Sequence, residues 1–140
     1  MGGKSGTGSH TADLIFWVEA EGEAELYESA AAALGELMFT GPRDGELEWL
    51  PVELDGQDRA ELLVGLLGEV VYLADGEELL VAACKVRRCG PVSLSARLGV
   101  LPLNLARHLP REPVKAVTLH QAKMDEAGNG RWRGEVVLDV

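Results

Sequence analysis

Cysteine is scarce in this chain of 140 residues: Cys84 and Cys89 are the only two. Two thiols cannot supply a four-ligand zinc site, and so low a count reads as reduced cytosolic thiols on or beside a strand. Long apolar runs are missing too. Leu14 to Val18 is too short for the apolar stretch of a secretory signal. The longest apolar helix candidate, Leu62 to Ala74, is interrupted by Glu69 and falls short of the ~20 residues that cross a bilayer. The expectation is a cytoplasmic protein with no membrane partner. Positive charge is in deficit, with 13 basic against 23 acidic residues and a formal net charge of −10. Such a surface repels phosphate backbones, so direct nucleic-acid binding is not expected, while docking onto a basic protein surface suits it.

Familiar catalytic signatures are absent as well. Gly3-Lys4-Ser5 hints at a phosphate loop, but that loop must run from a strand into a helix, and here a strand follows. The myristoylation pattern fails because Gly6 occupies the Ser/Thr position. No nucleophile–base arrangement, dense His/Asp metal motif or internal repeat is visible.

Apolar residues make up 46% of the chain, enough for one domain with a substantial core. Residues 1–9, rich in Gly and Ser, read as a mobile leader, and 10–140 as the folded domain. Asp13 to Ala20 alternates and is rich in strand formers, so a strand is expected. Glu23 to Met38 carries Leu26, Ala30, Ala33, Leu34 and Leu37 at helical spacing, with Glu23 and Glu25 favoured in the first turn by the helix dipole. Gly41-Pro42 stops that helix. Glu46 to Leu54 alternates again, and Pro51, which cannot donate to a ladder, marks an edge strand. Asp58, with Glu61 three residues on, is the capping pattern for a second helix through Ala74.

Asp75-Gly76 is expected to turn the chain into Leu79 to Arg88, which pairs with Pro91 to Val100 across Cys89-Gly90. Pro102 to Pro113 has no period and reads as a loop. Val114 to Met124 and Arg131 to Asp139 form a hairpin across a segment ending in Asn129-Gly130. The sum is an α+β single domain: a mostly antiparallel β-sheet of about six to seven strands with two amphipathic helices.

The two ends of this pattern carry its best lead to function. Asp13 opens the first apolar strand, and Asp139 closes the last, next to the carboxylate at Val140. If these strands are antiparallel neighbours, the acidic groups gather at one sheet edge. Like charges opposite each other are destabilising, so the cluster calls for a cation or a partner.

These segments resemble the archease family. His10-Thr11-Ala12-Asp13 is similar to the family's opening motif, and the likeness runs on to Leu37-Met38. It resumes at Glu61-Leu62-Leu63-Val64 and Glu69-Val70-Val71-Tyr72, then at Val114-Lys115-Ala116-Val117-Thr118-Leu119-His120, and closes on Leu138-Asp139-Val140. Ser9 stands where many members carry Glu, Ile15 where Gly is common, Gly68 where a polar residue is, and Leu119 where an aromatic is. The resemblance implies a non-catalytic cofactor of the RtcB-type tRNA-splicing RNA ligase, one that promotes its guanylylation and multiple turnover and broadens its nucleotide use. GTP and RNA would then be handled by the ligase. It also implies a divalent metal ion, calcium in the family, held by Asp13, Asp139 and a main-chain or terminal oxygen of Val140. Oxygen donors of this kind suit magnesium or manganese as well.

Three further residues are candidates for facing the partner or its nucleotide. His10 precedes the first strand, where a histidine is ordinarily just exposed, though it could support Asp13. Lys115 either snorkels to the sheet edge or supplies a cation near the carboxylates. His120 is expected to share a strand face with Thr118, more in keeping with a core histidine than a ligand. Trp17 and Trp49 read as core or half-buried, and Trp132 as a contact residue near a turn. The run Glu19-Glu21-Glu23-Glu25 reads as solvated charge, or as a docking surface for a basic patch. The competing functions are a metal-dependent hydrolase of a small phosphorylated substrate and a general chaperone; no exposed apolar stripe is evident for chaperone clients.

Overall fold

Strand alternation and helical spacing are realised in order. The computed structural model describes residues 3–9 and 13–140. Its elements are β1 (Lys4–Ser9), β2 (Asp13–Ala20), α1 (Glu23–Met38), β3 (Glu48–Asp55), α2 (Arg59–Glu77), β4 (Leu79–Cys89), β5 (Ser93–Pro102), β6 (Ala116–Gly128) and β7 (Arg131–Asp139). The strands make two antiparallel sheets, ordered β1-β2-β7-β6 and β3-β5-β4. The fold is therefore α+β, as the pattern requires. β3, with Pro51, lies at a sheet edge as expected. No helix among the described residues is long and apolar enough to cross a membrane.

One core joins the layers. α1 packs chiefly on β4 and α2 on β6, and the helices also touch each other. Leu26, Leu34, Leu66, Leu67, Leu98 and Leu138 are all fully buried there, each worth roughly 1.5–3 kcal/mol of transfer free energy. Two glycines allow the close approaches. A Cβ at Gly35 would meet the Val81 carbonyl of β4, and one at Gly134 would lie 2.8 Å from Leu63 of α2.

Four expectations are corrected. Residues 4–9 are no leader: they form β1, paired with β2 from Lys4↔Glu19 to Ser9↔Leu14. The strand has few apolar side chains of its own, and is held by its backbone ladder and by Trp17, whose ring lies where a Gly6 side chain would be. Helix α2 runs through Asp75-Gly76 and stops at Glu78, which adopts a left-handed φ of 56°. Gly76 leaves room for the Tyr72 ring, whose hydroxyl donates to Glu77 Oε2 at 3.0 Å. Strand β6 does not alternate cleanly. Thr118 pairs with Val137 but Lys123 with Glu135, so Leu119 to Ala122 bulge out and Gln121 takes a φ of 62°. Trp132 is half-buried against the core, with Arg59 5.1 Å above its ring, and is not a free contact residue.

The Asp58 cap and the Asn129-Gly130 turn hold in detail. The Asp58 carboxylate accepts from the Glu61 N–H at 2.9 Å, while Glu61 reaches back to the Gln57 N–H. Asn129 and Gly130, with φ of 55° and 77°, form the tight β6–β7 turn. Helix α1 has no basic residue in its last turn, and its carbonyls are satisfied from elsewhere. Arg43 donates to Gly35 O and Phe39 O, Arg111 to Glu36 O, and the Glu112 N–H to Leu37 O.

Candidate functional site

Strands β2 and β7 pair along their whole length, and their first register pair is Asp13↔Asp139. The two carboxylates that open and close the apolar pattern are thus directly opposed across one ladder. Both are exposed, while the neighbouring Leu138 is fully buried and anchors the strand end. Val140 is half-buried against the core. On the other side of β7, Asp139 registers with Ala116, and its carbonyl accepts the Lys115 N–H at 2.7 Å. Among the described residues, neither aspartate forms an ion pair.

Of the sequence candidates, Asp13, Asp139, Val140 and the Lys115 backbone come together. Lys115 is exposed, with its side chain outside any ion pair among the described residues. His120 is exposed within the β6 bulge, so neither the core reading nor the shared face with Thr118 holds. The bulge breaks the alternation on which that placement rested. His10 lies outside the described residues. No group of three or more His, Cys, Asp or Glu side chains among the described residues is arranged to hold a metal. Any ion at this edge would therefore rest on two carboxylates and main-chain oxygen.

The acidic run behaves differently. Glu19 pairs with Arg133 at 3.0 Å and Arg131 at 3.9 Å, Glu21 with Arg131 at 2.6 Å, and Glu23 with Arg59 at 2.8 Å. These charges are largely neutralised within the molecule, which leaves little of the run for a basic partner. Neither thiol is poised as a nucleophile. Burial raises Cys84 to about 12 and also raises Cys89.

One histidine escaped the sequence reading. His108, 1% exposed, accepts the Asn104 N–H at Nδ1 and meets Pro42 O through Nε2 at 2.8 Å. Both ring nitrogens are used, which fixes a neutral ring with its proton on Nε2. The contact ties the segment after β5 to the segment after α1, beside the Phe39↔Pro110 bridge. That tie leads the chain into Lys115. No local pattern marks it, because every partner is distant in sequence or in irregular backbone.

Comparison with known proteins agrees with this architecture. Residues 7–140 match the model of the Archease protein family (MTH1598/TM1083). Protein archease of Thermococcus kodakarensis is 31% identical over 134 residues, covering 94% of each chain. Protein archease of Methanopyrus kandleri is 32% identical over 134 residues, covering 94% of this chain and 95% of the relative. Among solved structures, protein 1598 of Methanobacterium thermoautotrophicum superposes with a TM-score of 0.72 at 27% identity, covering 97% of this chain and 98% of that one. An archease from Thermotoga maritima, described as a possible chaperone, shares the fold at a TM-score of 0.60 and 17% identity, covering 94% and 93%. The chain belongs to the archease family.

Proposed function

We propose that the protein is a non-catalytic activator of an RtcB-type RNA ligase and presents the Asp13–Asp139 edge to the ligase's nucleotide site. The observation that carries this reading is the opposed pair Asp13↔Asp139, without a cationic partner among the described residues. Two hard oxygen donors with main-chain oxygen at Val140 fit a divalent ion such as calcium, magnesium or manganese better than zinc. When bound, such an ion supplies positive charge where a triphosphate develops negative charge.

The chain's own residues have positional roles. Asp13 and Asp139 are fixed by a continuous ladder, so the donors need little reordering on binding. The Lys115 N–H holds the Asp139 carbonyl and sets the start of β6 beside it, leaving the exposed ammonium free to meet phosphate oxygens. Calcium takes ~6–8 oxygen ligands, so water and partner groups must complete the shell. An incomplete shell suits a site finished by a partner. Guanylyl transfer from GTP and the joining of RNA ends are then the ligase's chemistry.

The test is ligase guanylylation and multiple-turnover ligation with and without this protein. Stimulation is expected with the native chain and should fall at least ~tenfold with Asp13→Asn or Asp139→Asn, a change of ~1.4 kcal/mol. Full stimulation by either variant overturns the assignment. Lys115→Ala should weaken stimulation less, and an unaffected variant removes Lys115 from the site. The protein alone with nucleotide and manganese should release no product; turnover without ligase would instead indicate a metal-dependent hydrolase.

A further inference from the structure

The outer face of the β3-β5-β4 sheet differs from the rest of the surface. Register places Pro51, Arg97 and Lys85 in one row, Trp49, Gly99 and Ala83 in the next, and Glu53, Ser95 and Arg88 in the row on the other side. Trp49 lies across Gly99, where a Cβ would be 2.9 Å from the indole. Lys85 Nζ stands 4.6 Å and the Arg97 guanidinium 6.0 Å from the Trp49 ring centre. Lys85, Arg88 and Arg97 are exposed, as is Arg87, the residue inserted where the β4 register shifts.

What sets these arginines apart is their lack of partners. Arg59, Arg107, Arg131 and Arg133 form ion pairs, and Arg43 and Arg111 cap helix α1. Among the described residues, Arg87, Arg88 and Arg97 have neither a carboxylate nor a carbonyl partner. Two acids share this face: Glu53 accepts from the Ser95 hydroxyl at 2.7 Å, and Asp55 registers with Ser93, and neither forms an ion pair among the described residues. A molecule of net charge −10 thus sets Lys85 and Arg97 against one tryptophan, with Arg87 and Arg88 farther along β4.

We propose that this face binds single-stranded RNA, with Trp49 stacking on a base while Lys85, Arg88 and Arg97 contact phosphates. Exposed cation–π contacts are worth about 0.5–1 kcal/mol, whereas base–aromatic stacking is worth about 1–3 kcal/mol per base. A base can therefore displace Lys85 from the ring, and the released ammonium then meets a phosphate. The acidic remainder of the surface does not forbid this. Charges farther away than the Debye length, ~8 Å at physiological salt, are largely screened. The local sign outweighs the net sign, and affinity is expected to be modest and salt-sensitive.

The test uses the whole protein without ligase, so its outcome is independent of the activator reading. Fluorescence anisotropy of a labelled oligoadenylate of about ten nucleotides, a length within reach of one small domain, reports binding at low salt. Raising salt threefold should weaken it about tenfold if three phosphates are neutralised. The double variant Lys85→Glu, Arg97→Glu should weaken it at least tenfold. Trp49→Leu should weaken oligoadenylate binding at least fivefold, and leave binding of an abasic oligonucleotide of equal length unchanged. If Trp49→Leu fails to fold, the charge-reversed variant at two exposed positions still decides. Equal binding by the native and charge-reversed proteins overturns the proposal. So does equal affinity for the abasic strand, or tighter binding of an oligoglutamate peptide, which would mark the face as a protein contact.

Discussion

The two ends of the β2–β7 ribbon are built from the same backbone and opposite electrostatics. At one end Glu19 faces Arg133 in register, and Arg131 closes on Glu19 and Glu21. At the other end Asp13 faces Asp139, and no ion pair forms there among the described residues. Opposite-charge cross-strand pairs contribute about 0.2–1 kcal/mol, and like charges cost a similar amount. The buried middle of the ribbon, with Phe16, Val18, Val136 and Leu138 each no more than 3% exposed, is what lets one end carry a repulsive pair. Charge at the first end serves stability, and charge at the second is available for binding.

This contrast can be broken by experiment. Neutralising both acids, Asp13→Asn with Asp139→Asn, should abolish ligase stimulation. Calcium should raise the Tm of the native chain but not of this variant, the stabilisation approaching about 2.7 kcal/mol at a hundredfold excess over Kd. A calcium-induced shift that persists in the variant would place any ion elsewhere. Next in size, His108→Ala leaves the Asn104 N–H and the Pro42 carbonyl without a partner and should cost about 1–3 kcal/mol by chemical denaturation. Because the tie leads into Lys115, hydrogen exchange should also quicken along residues 103–115. Protection as slow as in the native chain would show that the loop is held by other means.

Smaller effects separate the ends more finely. Asp13→Lys places opposite charges across the ladder and should raise stability by about 0.2–1 kcal/mol while removing stimulation. Lower stability would show that the aspartates do not repel. Arg133→Ala, at the far end, should cost at most about 1 kcal/mol and leave stimulation intact. Arg133 also stands 4.9 Å above the Trp17 ring, and its removal uncovers the indole to water, so a red-shifted tryptophan emission with unchanged activation is the expected signature. Lost activation would deny the division of labour.

Legibility followed the range of the forces. Strand β2, helix α1 and strand β7 lie at the bounds their apolar periods require, and the juxtaposition of Asp13 with Asp139 follows from pairing the first and last apolar strands. The Asp58 cap and the Asn129-Gly130 turn are local chemistry and were readable. Strand β1 was not, since Gly and Ser carry no apolar pattern and its contacts come from Trp17. The pairing of Glu19 and Glu21 with Arg131 and Arg133 spans nearly the whole chain. The run alone therefore looked solvated. His120 was placed by an alternation that the Leu119–Ala122 bulge interrupts, and His108 was hidden in a segment without a period.

Closing the β2–β7 ladder has a consequence for biosynthesis. In chain order β2 precedes and β7 follows helix α1 and the β4–β5 hairpin, so those elements can form during synthesis while Asp13 still lacks its β7 neighbour. Contacts of such long sequence separation form late. The paired carboxylates therefore come into being only when the C-terminal hairpin docks, and a stalled or truncated product would lack them.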